Sequence, residues 1–158
     1  MDARVAISES RTEAVARDLL TIRGWQVQRP PKGNILWKNE YRNYSHLLEA
    51  LEGKGKSGKG GDAYPDFLVV DRATIRPLIV GETKPRDRDI KLAIDEACDP
   101  YGDAFDDKGF RVLAAGVAGD DQNNIAVQIK KRSRRSLCFI AGLVKIALIF
   151  SPAISLKS

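Results

Sequence analysis

Apolar residues recur at helical spacing near the start of the chain. Val15, Leu19 and Ile22, with Ala16 and Leu20 beside them, outline the buried stripe of an amphipathic helix that Ser10 or Thr12 can cap and Gly24 can stop. Trp25–Arg29 then reads as a first short strand, interrupted by Pro30-Pro31. A second helix is predicted over Asn43–Leu51, with Asn43 or Ser45 as cap and Leu47, Leu48 and Leu51 as its apolar face. Phe67–Val70 and Leu78–Val80 are short apolar runs rich in β-branched residues, and Asp71–Pro77 between them carries turn chemistry, so a hairpin is expected.

Beyond the hairpin, Asp87 or Asp89 can open a helix that places Ile90, Ile94, Ala97 and Tyr101 on one face. Pro100 should kink it or begin a second short helix, because its ring removes an interior hydrogen bond. Arg111–Val117 is predicted as a buried strand reached by a right-handed crossover, and Ile125–Ile129 as a further, antiparallel strand after the turn at Gly119–Asn123. The expected class is α/β, a mixed sheet flanked by helices, with residues 1–132 as the domain and 133–158 as a separate tail.

Composition agrees with one modest domain. In a chain of 158 residues, 43% hydrophobic and 30% charged residues suffice for a core and argue against overall disorder. The net charge of +5 permits an anionic partner without specifying one. Cys98 and Cys138 lack Cys-x-x-Cys spacing and have His46 as the single imidazole in the chain, so zinc and cysteine nucleophiles are poor candidates. No apolar stretch precedes the first charged helix, which leads to an expectation of no secretory signal and a cytoplasmic location.

The chemistry concentrates around the hairpin, in Pro65-Asp66 and Glu82-Thr83-Lys84. A hairpin centred near Thr74 puts Asp66 directly opposite Glu82, and directly opposed residues share a face. Lys84 shares it too, since side chains alternate along a strand. Two carboxylates and an ammonium then converge, a set that suits Mg²⁺, with Mn²⁺ as a substitute; the backbone carbonyl of Thr83 could add an oxygen. The bland alternative is an exposed cross-strand ion-pair patch, against which stands the rarity of carboxylates continuing so apolar a run.

On these residues the segment Gly61–Lys84 resembles the PD-(D/E)xK nuclease motif. The wider chain, from the helix carrying Arg11-Thr12-Glu13 through Gly24-Trp25 to Ile90–Phe105, is similar to the amino-terminal nuclease domain of type I restriction subunits and fused methyltransferase-nucleases. The resemblance implies a restriction-endonuclease-like core of order α-β-β-β-α-β and Mg²⁺-dependent DNA cleavage. It makes Asp66 and Glu82 metal ligands, Lys84 the catalytic lysine, and Glu13 the acidic residue of the first helix. It also implies a methyltransferase or helicase module outside this chain as partner, with homodimerisation open.

Three further features bear on partners. The loop Gly53–Gly61 carries Lys54, Lys56 and Lys59, which can neutralise DNA phosphates without reading bases; it fails as a nucleotide-binding loop because Gly60 stands where Ser or Thr must meet Mg²⁺. Lys130–Arg135 is basic except at Ser133 and precedes the apolar run Leu137–Phe150, which is too short to span about 30 Å of hydrocarbon. A docked helix or strand, or a tail read from a disrupted gene, are the other readings. Two functions of other classes stay open beside the nuclease: a catalytically silent DNA-binding module, and a small membrane-associated protein.

Overall fold

A computed structural model of the chain describes residues 9–22, 24–38, 40–53, 64–120 and 125–131. The elements are α1 (Glu9–Ile22), β1 (Ile35–Trp37), a 3₁₀ turn at Glu40–Asn43, α2 (Ser45–Leu51), β2 (Phe67–Val70) and β3 (Pro77–Lys84). Then follow a 3₁₀ turn at Asp87–Asp89, α3 (Ile90–Glu96), wide turns over Ala97–Gly102, α4 (Asp103–Asp107), β4 (Leu113–Ala118) and β5 (Ala126–Lys131). The protein is α/β, with a five-stranded mixed sheet in the order β1-β2-β3-β4-β5.

Helices cover both faces of that sheet. Even-numbered positions of β1 to β4 (Leu36, Leu68, Val70, Val80, Ala114) pack with Leu47, Leu51, Ile94, Tyr101 and Phe105 from α2, α3, the wide turns and α4. The other face, from Ile35, Trp37, Phe67, Val69, Ala115 and Val117, packs on Ala16 and Leu20 of α1. Strands buried on both faces lose the alternation of a half-exposed strand. Gly81 serves this double packing, since a Cβ there would fall 2.1 Å from the Phe67 ring.

The β2–β3 hairpin forms as its sequence predicts. Asp71 Oδ1 accepts from Ala73 N, Thr74 N and Thr74 Oγ1 at 3.2, 2.8 and 2.7 Å, closing the turn. A register shift at Val69/Val70 lies near that turn, while Leu68↔Val80 and Phe67↔Gly81 pair regularly toward the open end. Asp99 breaks the helical path (φ −132°, ψ 115°) ahead of Pro100, as the proline requires. β4 runs parallel to β3 and β5 antiparallel to β4, in line with the predicted order.

Several expectations need correction. Trp25–Arg29 is not a strand; it runs irregularly beside Asn34 and Ile35, with bonds of 3.4 Å from their N–H groups to Gln26 O and Gln28 O, and the first strand is Ile35–Trp37. The buried stripe of α1 is Thr12-Ala16-Leu20, whereas Ile22 is 66% exposed. Thr12 is no cap: it lies inside the helix, and its hydroxyl donates to Gly119 O at 2.7 Å and to Lys84 O at 3.2 Å. Neither Asn43 nor Ser45 caps α2, whose N-cap is Tyr44 without a side-chain bond. Asp89 likewise precedes α3 without a capping bond. Residue 132 and the tail 133–158 lie outside the described residues, and among those described no helix is long and apolar enough to cross a membrane.

Candidate active site

Strand register assembles the site. β1 pairs with β2 as Trp37↔Phe67, and β2 with β3 as Phe67↔Gly81. Carried one pair further, these ladders set Lys38 opposite Asp66 and Asp66 opposite Glu82. Glu82 in turn pairs with Gly116 of β4. Lys38, Asp66 and Glu82 thus form a row across three strand ends, on the face shared with Leu36, Leu68 and Val80, and Lys84 follows on that face one step along β3.

The row is held from below. Tyr41 Oη donates to Pro65 O at 2.8 Å, fixing the residue before Asp66, and Lys38 N donates to Asp66 O at 3.0 Å. Burial, and then the charges of Asp66, Glu82 and Glu40 with the neighbouring Tyr101, hold the Tyr41 phenol well above its ordinary pKa. Asp66 Oδ2 accepts from both Thr83 N at 2.8 Å and Thr83 Oγ1 at 2.7 Å. Its Oδ1 faces Lys38 Nζ at 3.2 Å.

Lys84 is clasped by two acids. Its ammonium lies 3.8 Å from Glu82 Oε2 and 2.9 Å from Glu96 Oε2. Glu96, the last residue of α3, was not among the residues singled out from sequence, and neither was Lys38. Burial pulls the Lys38 ammonium down, but the charge and hydrogen bond of Asp66, followed by the charges of Glu13 and Glu82, raise it above its ordinary pKa. Glu13 follows Thr12 in α1, and Thr12 pins that helix to the end of β3 through its bond to Lys84 O.

Of the sequence-predicted residues, the structure therefore brings Asp66, Glu82, Thr83 and Lys84 together and leaves Glu13 at their border. Thr83 contributes two donors to Asp66, a service not read from sequence. Lys54, Lys56 and Lys59 lie outside the described residues. His46 stands apart from the row, its Nε2 3.2 Å from Ile75 O at the hairpin turn.

The donor chemistry fits a hard divalent cation. Among the described residues no three His, Cys, Asp or Glu side chains form a ready cage for a metal ion, yet Mg²⁺ needs one or two carboxylates and keeps waters on its remaining positions. Asp66 and Glu82, 2% and 1% exposed, are such a pair, and a cation already stands against Asp66 in the form of the Lys38 ammonium. What fold and site define is an α/β protein with a buried acid-lysine cluster at the open end of a hairpin. No protein-family model, curated protein or solved structure matches the chain.

Proposed function

We propose that this chain is a Mg²⁺-dependent deoxyribonuclease domain with a restriction-endonuclease-like core, hydrolysing phosphodiester bonds. One observation carries the reading. Tyrosines aside, the buried polar side chains among the described residues are Thr12, Asp66, Glu82, Thr83 and Lys84, and all five meet at the end of β3. Burying charge is costly, and breaking such a cluster more so, which is why a fold that concentrates it at one place invites a functional explanation. The order α1, β1-β2-β3, crossover helices and parallel β4 agrees with the α-β-β-β-α-β core that the motif implies, with α2 inserted and β5 added.

In this reading Asp66 Oδ1 and Glu82 hold the metal, and Thr83 fixes the Asp66 carboxylate. A divalent cation bound there supplies polarisation of the phosphodiester and a lowered pKa for a bound water. Lys84, fixed by Glu82 and Glu96, presents a compact positive charge to the attacking water or to charge developing on the phosphate. Glu13 borders the same space from α1. The loop lysines Lys54, Lys56 and Lys59 neutralise the DNA backbone, and a cytoplasmic restriction-modification setting, with methyltransferase or helicase supplied by another module, completes the proposal.

The decisive assay incubates the protein with supercoiled, linear and single-stranded DNA, with and without Mg²⁺. Mg²⁺-dependent cleavage by the wild type that is lost in Glu82→Gln supports the nuclease. DNA binding without cleavage at any Mg²⁺ or Mn²⁺ concentration supports the second reading, a silent DNA-binding module, against which the intact set Asp66, Glu82 and Lys84 stands.

A further inference from the structure

The two lysines of the site are held in different ways. Lys84 has a side chain 8% exposed and a 2.9 Å contact to Glu96, so it is fixed in place. Lys38 has a side chain 47% exposed and stands 3.2 Å from Asp66 Oδ1, longer than the roughly 2.7–2.9 Å of a strong charged N–H···O bond. Its backbone is anchored, through Lys38 N to Asp66 O at 3.0 Å, but its flexible stem has solvent to move into.

The chemistry at Asp66 is equally one-sided. Oδ2 takes the two Thr83 donors, and Oδ1 is the oxygen turned to a cation. Asp66 and Glu82, buried and opposed across the hairpin, repel each other, and a single positive charge beside them relieves that repulsion. An ammonium and a divalent ion brought against the same carboxylate oxygen repel each other, so each weakens the hold of the other.

We infer that Lys38 is a tethered counter-cation, which holds Asp66 Oδ1 in the metal-free protein, competes with a divalent cation for it, and swings out to solvent when the cation binds. The inference rests on the metal-site reading above and adds a residue that sets metal affinity. Apparent affinity is reduced by the fraction of molecules in which the site is closed to the ligand. Lys38 thereby offsets part of the negative charge of a buried acidic pair in the resting state.

The test is calorimetric titration of the full chain with Mn²⁺, comparing wild type, Lys38→Met, Lys38→Arg and Asp66→Asn. Lys38→Met is expected to bind Mn²⁺ roughly two- to fivefold more tightly, the range set by the modest strength of a half-exposed ion pair. Lys38→Arg, which keeps the charge, should not. In wild-type protein carrying ¹³C-dimethylated lysines, the Lys38 resonance, identified by its absence from Lys38→Arg, should move toward that of exposed lysines as Mg²⁺ is added. This arm reads the wild-type protein itself, with Lys38→Arg serving for assignment alone, and separates displacement from mere long-range repulsion. Asp66-dependent Mn²⁺ binding that Lys38→Met leaves unchanged, or a Lys38 resonance indifferent to Mg²⁺, overturns the inference alone. Failure of wild type and Lys38→Met to bind Mn²⁺ any better than Asp66→Asn overturns the metal-site reading, and the role of Lys38 with it.

Discussion

The Lys84 ammonium lies 2.9 Å from Oε2 of Glu96, so the last residue of α3 reaches the end of β3 and steadies the charge at the centre of the site. The pairing separates two effects. Lys84→Ala should lower the single-turnover cleavage rate by about 100-fold or more, as removal of a transition-state stabiliser does, with little change in DNA affinity. Glu96→Gln should cost about tenfold, typical of a partner standing behind a site. Single-turnover kinetics beside fluorescence-anisotropy binding decide the matter. A Lys84→Ala protein that cleaves normally but binds DNA poorly would reduce Lys84 to a phosphate contact.

Asp66 and Glu82 should be separable from folding only by isosteric changes. Asp66→Ala strips the acceptor from Thr83 N and Thr83 Oγ1, both buried, and should cost about 1–3 kcal/mol of stability. Asp66→Asn keeps an acceptor there and should fold nearly as well. Both Asp66→Asn and Glu82→Gln are expected to abolish cleavage and weaken Mn²⁺ binding in calorimetry. Full activity in either would remove that residue from the site.

The hairpin was legible because its turn chemistry and two apolar runs fixed a centre, and a centre fixes which residues oppose each other. Asp66 and Glu82 followed from that count, and the observed register agrees. β1 was not legible. Ile35-Leu36-Trp37 is short and buried on both faces, so it shows no alternation, while Trp25–Arg29 shows strand-like composition in a segment that never joins the sheet. Lys38 was hidden by the same gap, since an isolated lysine acquires meaning only once β1 is known to pair with β2. Thr12 misled as a capping residue, because its burial depends on carbonyls of Lys84 and Gly119 that are remote in sequence. Glu96 carried no motif or spacing that set it apart from the other acids of the segment. The available signal was its place three residues after Ala93 and next to Ala97, both fully buried, at the margin of the apolar face.

Gly116 should be intolerant of a side chain. It pairs with Glu82, and a Cβ built there would stand 2.7 Å from Ile94 N and 3.1 Å from Ile94 Cα. Backbone cannot rotate away as a side-chain tip can, so Gly116→Ala must push α3 outward. The expected cost is about 1–3 kcal/mol, the usual range for overpacking. Because α3 carries Glu96, cleavage should fall in parallel with the Glu96→Gln variant. Urea midpoints and single-turnover rates test both parts, and a protein of wild-type stability would show that α3 does not need this close approach.

Tyr41 links stability to alkaline pH. Its hydroxyl donates to Pro65 O at 2.8 Å, and burial together with the charges of Asp66 and Glu82 raises its pKa in the folded state. The unfolded phenol titrates near pH 10. Between that value and the raised folded one the unfolded chain releases a proton that the folded chain retains, so stability is fully present below about pH 10 and declines as pH rises beyond it. Tyr41→Phe removes the titrating group and leaves the Pro65 carbonyl without this donor. Its expected cost at neutral pH is about 1–2 kcal/mol. Above about pH 10 its stability should fall less steeply than that of the wild type, narrowing the difference between them. Urea denaturation at about pH 7, 9 and 11 measures both quantities, and parallel curves for the two proteins would mean that the phenol is not held neutral by the fold.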